Sequence, residues 1–262
     1  MLNVRDIRAL KSKRKIIMLT AYDYILAGLI EKAGVDIVLV GDSLGMVFNG
    51  QKTTLPVTVD EIIYHAKAAR NGAKNTFLTV DMPFMSYQAS VADAKRNAGR
   101  IMKEAGAQAV KVEGGAEIAE QIKAVTDIGI PVMGHIGTQP QSVNKYGGYV
   151  VSGATPEEKD ELIENALSIE KAGVFAIVLE KVKAETAAAI TKAVKIPTIG
   201  IGAGPHCDGQ VLVTYDLLGY FEDFNPKFVK KYENLAVKTE KALKKFIKEV
   251  KTKEYPGRKN YY

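Results

Sequence analysis

A chain of 262 residues, 47% hydrophobic and 25% charged, can bury a large core within one α/β domain and is too apolar to be disordered. Its net charge of +6 is local: residues 227–259 hold twelve Lys and Arg against four Asp and Glu, leaving a net of −2 elsewhere. A basic excess confined to one segment with interleaved acids, and no binding motif, argues against a nucleic-acid partner. The single Cys207 excludes an internal disulfide, and no apolar leader or membrane-length run is present, so a cytoplasmic location without membrane contact is expected.

Residues 15–20 form the first predicted strand, followed by a helix running toward Gly34. From there one design recurs. Ala33-Gly34 leads into strand 36–42, Ala105-Gly106 into strand 107–113, and Ala172-Gly173 into strand 174–179, which finishes on Glu180. Glycine suits the left-handed turn that closes a helix. Asn71-Gly72 before strand 76–81 is a looser version of the same rule. After a glycine-containing loop, 44–56, Thr58 with Glu61 marks a capping box, and Ser90 with Asp93 opens the helix that ends at Gly106. Helix 116–127 and strand 130–135 follow, then a long loop to Gly153 and a helix opened by Thr155-Pro156-Glu157-Glu158. Helix 183–194 separates strand 6 from strands 196–200 and 210–214. Residues 226–251 read as one amphipathic helix with Phe228, Tyr232, Leu235, Leu243, Phe246, Ile247 and Val250 on its apolar side. The polar tail, 253–262, is expected to lack order unless docked.

Eight strands mostly separated by helices, with no linker, predict a single-domain α/β (β/α)8 TIM barrel over 1–262, its body at about 15–219. An open doubly wound sheet is the rival. The lack of a glycine signature after the first strand disfavours it.

In such a barrel all strand C-termini share one mouth. Asp42, Asp81, Glu113, His135 and Glu180 end strands 2 to 6 and so meet there. Any one acid could serve as a helix N-cap. Four together repel and call for a cation. Lys111 lies two residues before Glu113 and therefore points the same way, while Val110 and Val112 face the opposite side. A lysine directed inward needs a carboxylate or an anionic ligand, and a structural Lys-Glu pair would also satisfy it. Carboxylates with Ser43 and no Cys-His cluster suit Mg²⁺. Zinc is disfavoured, because His65, His135 and His206 have no ligand spacing and His65 reads as structural. The glycines at 200, 202 and 204 follow strand 7, where barrels bind phosphate, and serve equally as a tight turn.

At these residues the chain resembles the ketopantoate hydroxymethyltransferase family. The matching stretches are Met18-Leu19-Thr20-Ala21-Tyr22-Asp23, Val40-Gly41-Asp42-Ser43-Leu44-Gly45-Met46-Val47 and Asp81-Met82-Pro83-Phe84. Lys111-Val112-Glu113-Gly114-Gly115, Gly134-His135-Ile136-Gly137, Pro140-Gln141-Ser142, residues 199–204 and Cys207-Asp208-Gly209-Gln210-Val211-Leu212 match as well. The resemblance implies a Mg²⁺-dependent, class II aldolase-like transfer of a hydroxymethyl group from 5,10-methylenetetrahydrofolate to 3-methyl-2-oxobutanoate, giving ketopantoate for pantothenate synthesis. It implies Asp42 and Asp81 as ligands of one Mg²⁺ per subunit, with Glu113 completing the metal environment. Ser43 and Lys111, with Asp42 and Asp81, would contact the 2-oxo acid, and Glu180 would be the base. It also implies a homo-oligomer, a decamer, with the C-terminal helix docking subunits. The chain departs from the family pattern at Thr138-Gln139, Val150 and Lys181-Val182-Lys183. The alternative is another Mg²⁺-dependent 2-oxo-acid lyase or mutase of the phosphoenolpyruvate mutase/isocitrate lyase type, and a non-catalytic anion-binding barrel is a further one.

Overall fold

Short apolar runs bounded by helix-closing glycines become parallel strands in the computed structural model, which describes residues 1–222 and 225–262. The strands are β1 (Ile16–Thr20), β2 (Ile37–Val40), β3 (Phe77–Asp81), β4 (Ala109–Glu113), β5 (Val132–Gly137), β6 (Ala176–Glu180), β7 (Thr198–Ile201) and β8 (Gly209–Leu212). They pair in sequence order and close, β8 on β1, as a parallel barrel. Two helices end as expected, with Gly106 at φ 65° and Gly173 at φ 108° in left-handed caps. The chain divides into two units, Met1–Leu212 and Val213–Tyr262. No helix among the described residues is long and apolar enough to cross a membrane.

Alternation along the strands sorts the barrel interior into layers. The lower layers are apolar: Ile16, Met18, Ile37, Leu39, Phe77, Ala109, Met133, Ala176, Val178, Ile199 and Val211 form one buried cluster. Helix Val4–Ala9 joins this cluster through fully buried Ile7, with Leu2, Val4 and Leu10 packed against it. An Asn3–Asp6 capping box starts that helix, which lies ahead of the barrel body expected from residue 15. The polar residues stand one layer above, at the strand C-termini. Register makes Asp81 the neighbour of Lys111 and Glu113 the neighbour of His135 across adjacent strands.

Two connections differ from expectation. Loop 44–56 opens with a short helix, Leu44–Val47, and the loop after β5 holds a 3₁₀ turn, Pro140–Ser142, and a helical turn, Val143–Tyr146. β7 leads to β8 through the glycine-rich stretch, with no helix between them, as expected. The C-terminal helix is Leu235–Lys251 and not 226–251. Asn234 caps it by accepting from the Val237 N–H, while the preceding segment is held in turns by Tyr232 N–H donating to Leu217 and Leu235 N–H to Leu218. Phe228 and Tyr232 therefore lie outside the helix. The tail folds back at least to Tyr255, whose ring centroid is 5.3 Å from that of Phe246.

Candidate active site

The mouth of the barrel gathers all the strand-end residues named from sequence. Asp42 follows β2, and its backbone N–H donates to Asp81 Oδ2 at 3.1 Å, so the ends of β2 and β3 are tied directly. Asp81 Oδ1 lies 2.9 Å from Lys111 Nζ, yet no donor is aligned on that oxygen. Lys111 Nζ is also 3.3 Å from His135 Nδ1. The His135 ring stands between two acids, with Nδ1 3.4 Å from Glu113 Oε1 and Nε2 3.4 Å from Glu180 Oε2. These last distances are at the long limit of an ion pair. Ser43 holds the rim of β2, its hydroxyl 2.8 Å from that of Tyr22. His65 is structural, as expected: it is buried, and its Nδ1 is 2.7 Å from the Tyr22 carbonyl.

Burial and crowding set the charges. Asp42 is pushed well above the usual carboxylate range, first by burial and then by Asp81 and Glu113, with Lys111 and Gln141 opposing. Burial also raises Asp81, against the pull of Lys111. Glu113 goes the other way: the upward push of burial is outweighed by His135, Lys111 and the Gln141 N–H. Burial and Lys111 favour neutral His135, but Glu113 and Glu180 prevail and push it up to about 9. Lys111 remains firmly charged, because Asp81, Glu113 and Asp42 outweigh its burial. With all groups ionised, four carboxylates face one lysine and one histidine, a deficit of two positive charges.

That deficit, and a donor set of hard oxygens without thiolate, fits a divalent cation of the Mg²⁺ kind. Among the described residues no three His, Cys, Asp or Glu side chains already converge as a preformed metal centre. Lys111 sits against Asp81, and Gln141 donates to Asp42 Oδ2 at 2.8 Å, so both acids already have partners.

Two residues at the centre of this network were not singled out from sequence. Gln141 donates its backbone N–H to Glu113 Oε2 at 3.0 Å, and the Tyr87 hydroxyl accepts from the Glu113 N–H at 2.9 Å. Pro140-Gln141-Ser142 was legible only as part of a motif, since a neutral residue in a long loop carries no periodicity.

The departures from the family pattern meet one another at the rim. Thr138 Oγ1 donates to the Val150 carbonyl, and Lys181 Nζ donates to the Tyr149 carbonyl. Ser152 N–H donates to the Lys181 carbonyl at 2.9 Å, and Lys183 N–H to the Ser152 carbonyl at 3.0 Å. Segment 149–152 is thus laced to the chain just after Glu180. Of the glycines that follow strand 7, Gly204 is hemmed in by packing: a Cβ there would stand 2.7 Å from that of Ala184.

Comparison with known proteins gives the family and the fold of the chain. The ketopantoate hydroxymethyltransferase family profile matches residues 1–258. A 3-methyl-2-oxobutanoate hydroxymethyltransferase of Clostridium beijerinckii is 54% identical over 255 residues, covering 97% of this chain and 93% of the relative. An enzyme of the same name from Enterococcus faecalis is 55% identical over 243 residues, covering 93% and 88%. Among solved structures, phosphoenolpyruvate phosphomutase from Streptomyces platensis superposes with a TM-score of 0.63 at 15% identity, covering 96% of this chain and 88% of that one. At that identity the likeness concerns the barrel alone. The chain is an enzyme of the hydroxymethyltransferase type, and it belongs to the ketopantoate hydroxymethyltransferase family.

Proposed function

We propose that this chain transfers a hydroxymethyl group from 5,10-methylenetetrahydrofolate to 3-methyl-2-oxobutanoate, giving 2-dehydropantoate (ketopantoate) and tetrahydrofolate. The observation that carries the reading is the cluster of four carboxylates around one lysine and one histidine at the barrel mouth, in a chain 54% identical to a relative named 3-methyl-2-oxobutanoate hydroxymethyltransferase. Asp42 and Asp81 would hold a Mg²⁺ ion directly, with Glu113 completing its surroundings. When bound, the cation supplies Lewis-acid stabilisation of negative charge developing on the keto oxygen.

The chain's own residues do the rest. Lys111 is fixed in its charged state between Asp81 and Glu113 and offers its ammonium to the oxygens of the 2-oxo acid, where charge grows in the transition state. Ser43, held by Tyr22, presents a hydroxyl from the opposite rim. Glu180 is the most open of the acids, with 19% of its side chain exposed against 3–4% for Glu113 and Asp81. It can therefore face a bound substrate and take the proton from C3. The C3–H electron pair moves into the C2–C3 bond and the keto oxygen accepts the charge. Water adds to the methylene carbon of the folate. The two C–N bonds of that carbon break as the nitrogens take the water's protons, leaving tetrahydrofolate and a carbon at the oxidation level of formaldehyde. C3 bonds to that carbon as the ketone re-forms. The oxygen that came from water takes back the proton held by Glu180 and becomes the hydroxyl. His135, beside Glu180, orients that carboxylate and receives part of its charge.

The test is an assay of ketopantoate formation from both substrates, with Mg²⁺ and then with excess chelator. The reading expects folate-dependent product that disappears on chelation and returns with Mg²⁺. Product formation indifferent to chelator would remove the cation, and no product at all would remove the reaction.

A further inference from the structure

Gln141 is a neutral residue at the centre of an acid cluster, and both ends of its side-chain amide have polar partners. Nε2 donates to Asp42 Oδ2 at 2.8 Å and to the Met82 carbonyl at 3.0 Å. Oε1 faces the Tyr87 hydroxyl and Gln88 Nε2, each at 2.9 Å. The backbone N–H of the same residue donates to Glu113 Oε2 at 3.0 Å. One buried residue therefore grips acids from two strand ends, β2 and β4.

This arrangement admits one orientation. Turning the amide over would set Oε1 against two acceptors, Asp42 Oδ2 and the Met82 carbonyl, and Nε2 against the amide nitrogen of Gln88. Tyr87 is itself held at Glu113: its oxygen accepts the Glu113 N–H, and its one proton is within reach of the Glu113 carbonyl at 2.8 Å as well as of Oε1. The chemistry of the position is equally restricted. A lysine there would cancel the charge that a cation needs, and a carboxylate would add an acceptor facing Asp42. A neutral donor favours the ionised acids without neutralising them. Outer hydrogen bonds of this kind orient ligating carboxylates and tune their affinity.

We infer that Gln141 is a positioning residue, setting the orientation of Asp42 and Glu113 together and thereby the affinity of the site for a divalent cation. The inference rests on the cation site proposed above.

The test measures Mn²⁺ binding to the full-length protein without substrate, by electron paramagnetic resonance of the free ion, alongside circular dichroism. Gln141→Leu keeps the size and backbone N–H and removes the side-chain donor. It is expected to weaken Mn²⁺ binding by about 10- to 100-fold with the fold intact. Tyr87→Phe leaves Nε2 in place, removes the hydroxyl at Oε1 together with the acceptor of the Glu113 N–H, and is expected to weaken binding less, in the same direction. A purely structural role would lower the melting temperature and leave the Mn²⁺ affinity of the folded protein unchanged. A folded Gln141→Leu binding Mn²⁺ within twofold of the wild type would overturn the inference while the cation site stood. Should Gln141→Leu not fold, an unchanged affinity in Tyr87→Phe would overturn it. Wild-type protein that binds no Mn²⁺ would remove the cation site, and the inference with it.

Discussion

Lys111 is the residue on which the charge balance of the mouth turns. Its ammonium lies 2.9 Å from Asp81 Oδ1 and is almost wholly buried, so its removal leaves a carboxylate uncompensated in a dry layer. Lys111→Met preserves the stem and deletes the charge. Losing one partner of a buried ion pair costs about 3–5 kcal/mol, and thermal unfolding should show a deficit of that order at neutral pH. The deficit should shrink as pH falls. Burial already raises the pKa values of Asp42 and Asp81, the folded state therefore binds protons more readily than the unfolded one, and acid removes the repulsion. An unchanged melting temperature, or a deficit that grows in acid, would contradict the charge balance described here. The inward direction of Lys111 is legible in the amino-acid sequence, because parity along a strand puts it with Glu113 and away from Val110 and Val112. The roles of Gln141 and Tyr87 are not. Their partners come from strand ends far away in sequence, and nothing local marks a loop glutamine as a donor to an aspartate 99 residues before it.

At the scale of elements, β5 and the turn beyond it matter most to the chemistry. Gly137 ends β5 at φ 96° beside Glu180, and Thr138 N–H donates to the Glu180 carbonyl at 2.8 Å. A Cβ on Gly137 would stand 2.4 Å from that carbonyl oxygen. Gly137→Ala must therefore shift the backbone that carries the proposed base, in a conformation that L side chains rarely adopt. A displacement approaching 1 Å can cost about 100-fold, so kcat should fall by about 10- to 100-fold with circular dichroism preserved. Activity within twofold of the wild type would show that β5 does not hold Glu180 in place. The strands themselves were readable because each is a short apolar run, several of them behind a helix-closing glycine. The start of the last helix was not. Phe228 and Tyr232 extend the apolar period by composition, but turn hydrogen bonds to Leu217 and Leu218 claim the backbone there and the helix waits for its Asn234 cap. Helix Val4–Ala9 escaped because its six residues are too few to show a period.

At the scale of the molecule, the barrel turns a list of acids scattered from residue 42 to residue 180 into one site. Apolar layers below, sealed by Ile7, leave the strand-end charges in a water-poor mouth where each is worth more than in solution. In the other unit, helix Leu235–Lys251 buries no residue and keeps Leu243, Phe246, Ile247 and Val250 about half exposed. The barrel accounts for a site that concentrates negative charge and for an acid, Glu180, that is open enough to serve as the proposed base. Its central claim is that Glu180 removes the C3 proton of 3-methyl-2-oxobutanoate only while a divalent cation balances the acids. Proton magnetic resonance in deuterated water, with no folate present, measures that step alone. The account predicts loss of the C3 proton signal with wild-type protein and Mg²⁺, and no exchange above the uncatalysed rate with chelator or with Glu180→Gln. Exchange at the wild-type rate in either of those two conditions would contradict it.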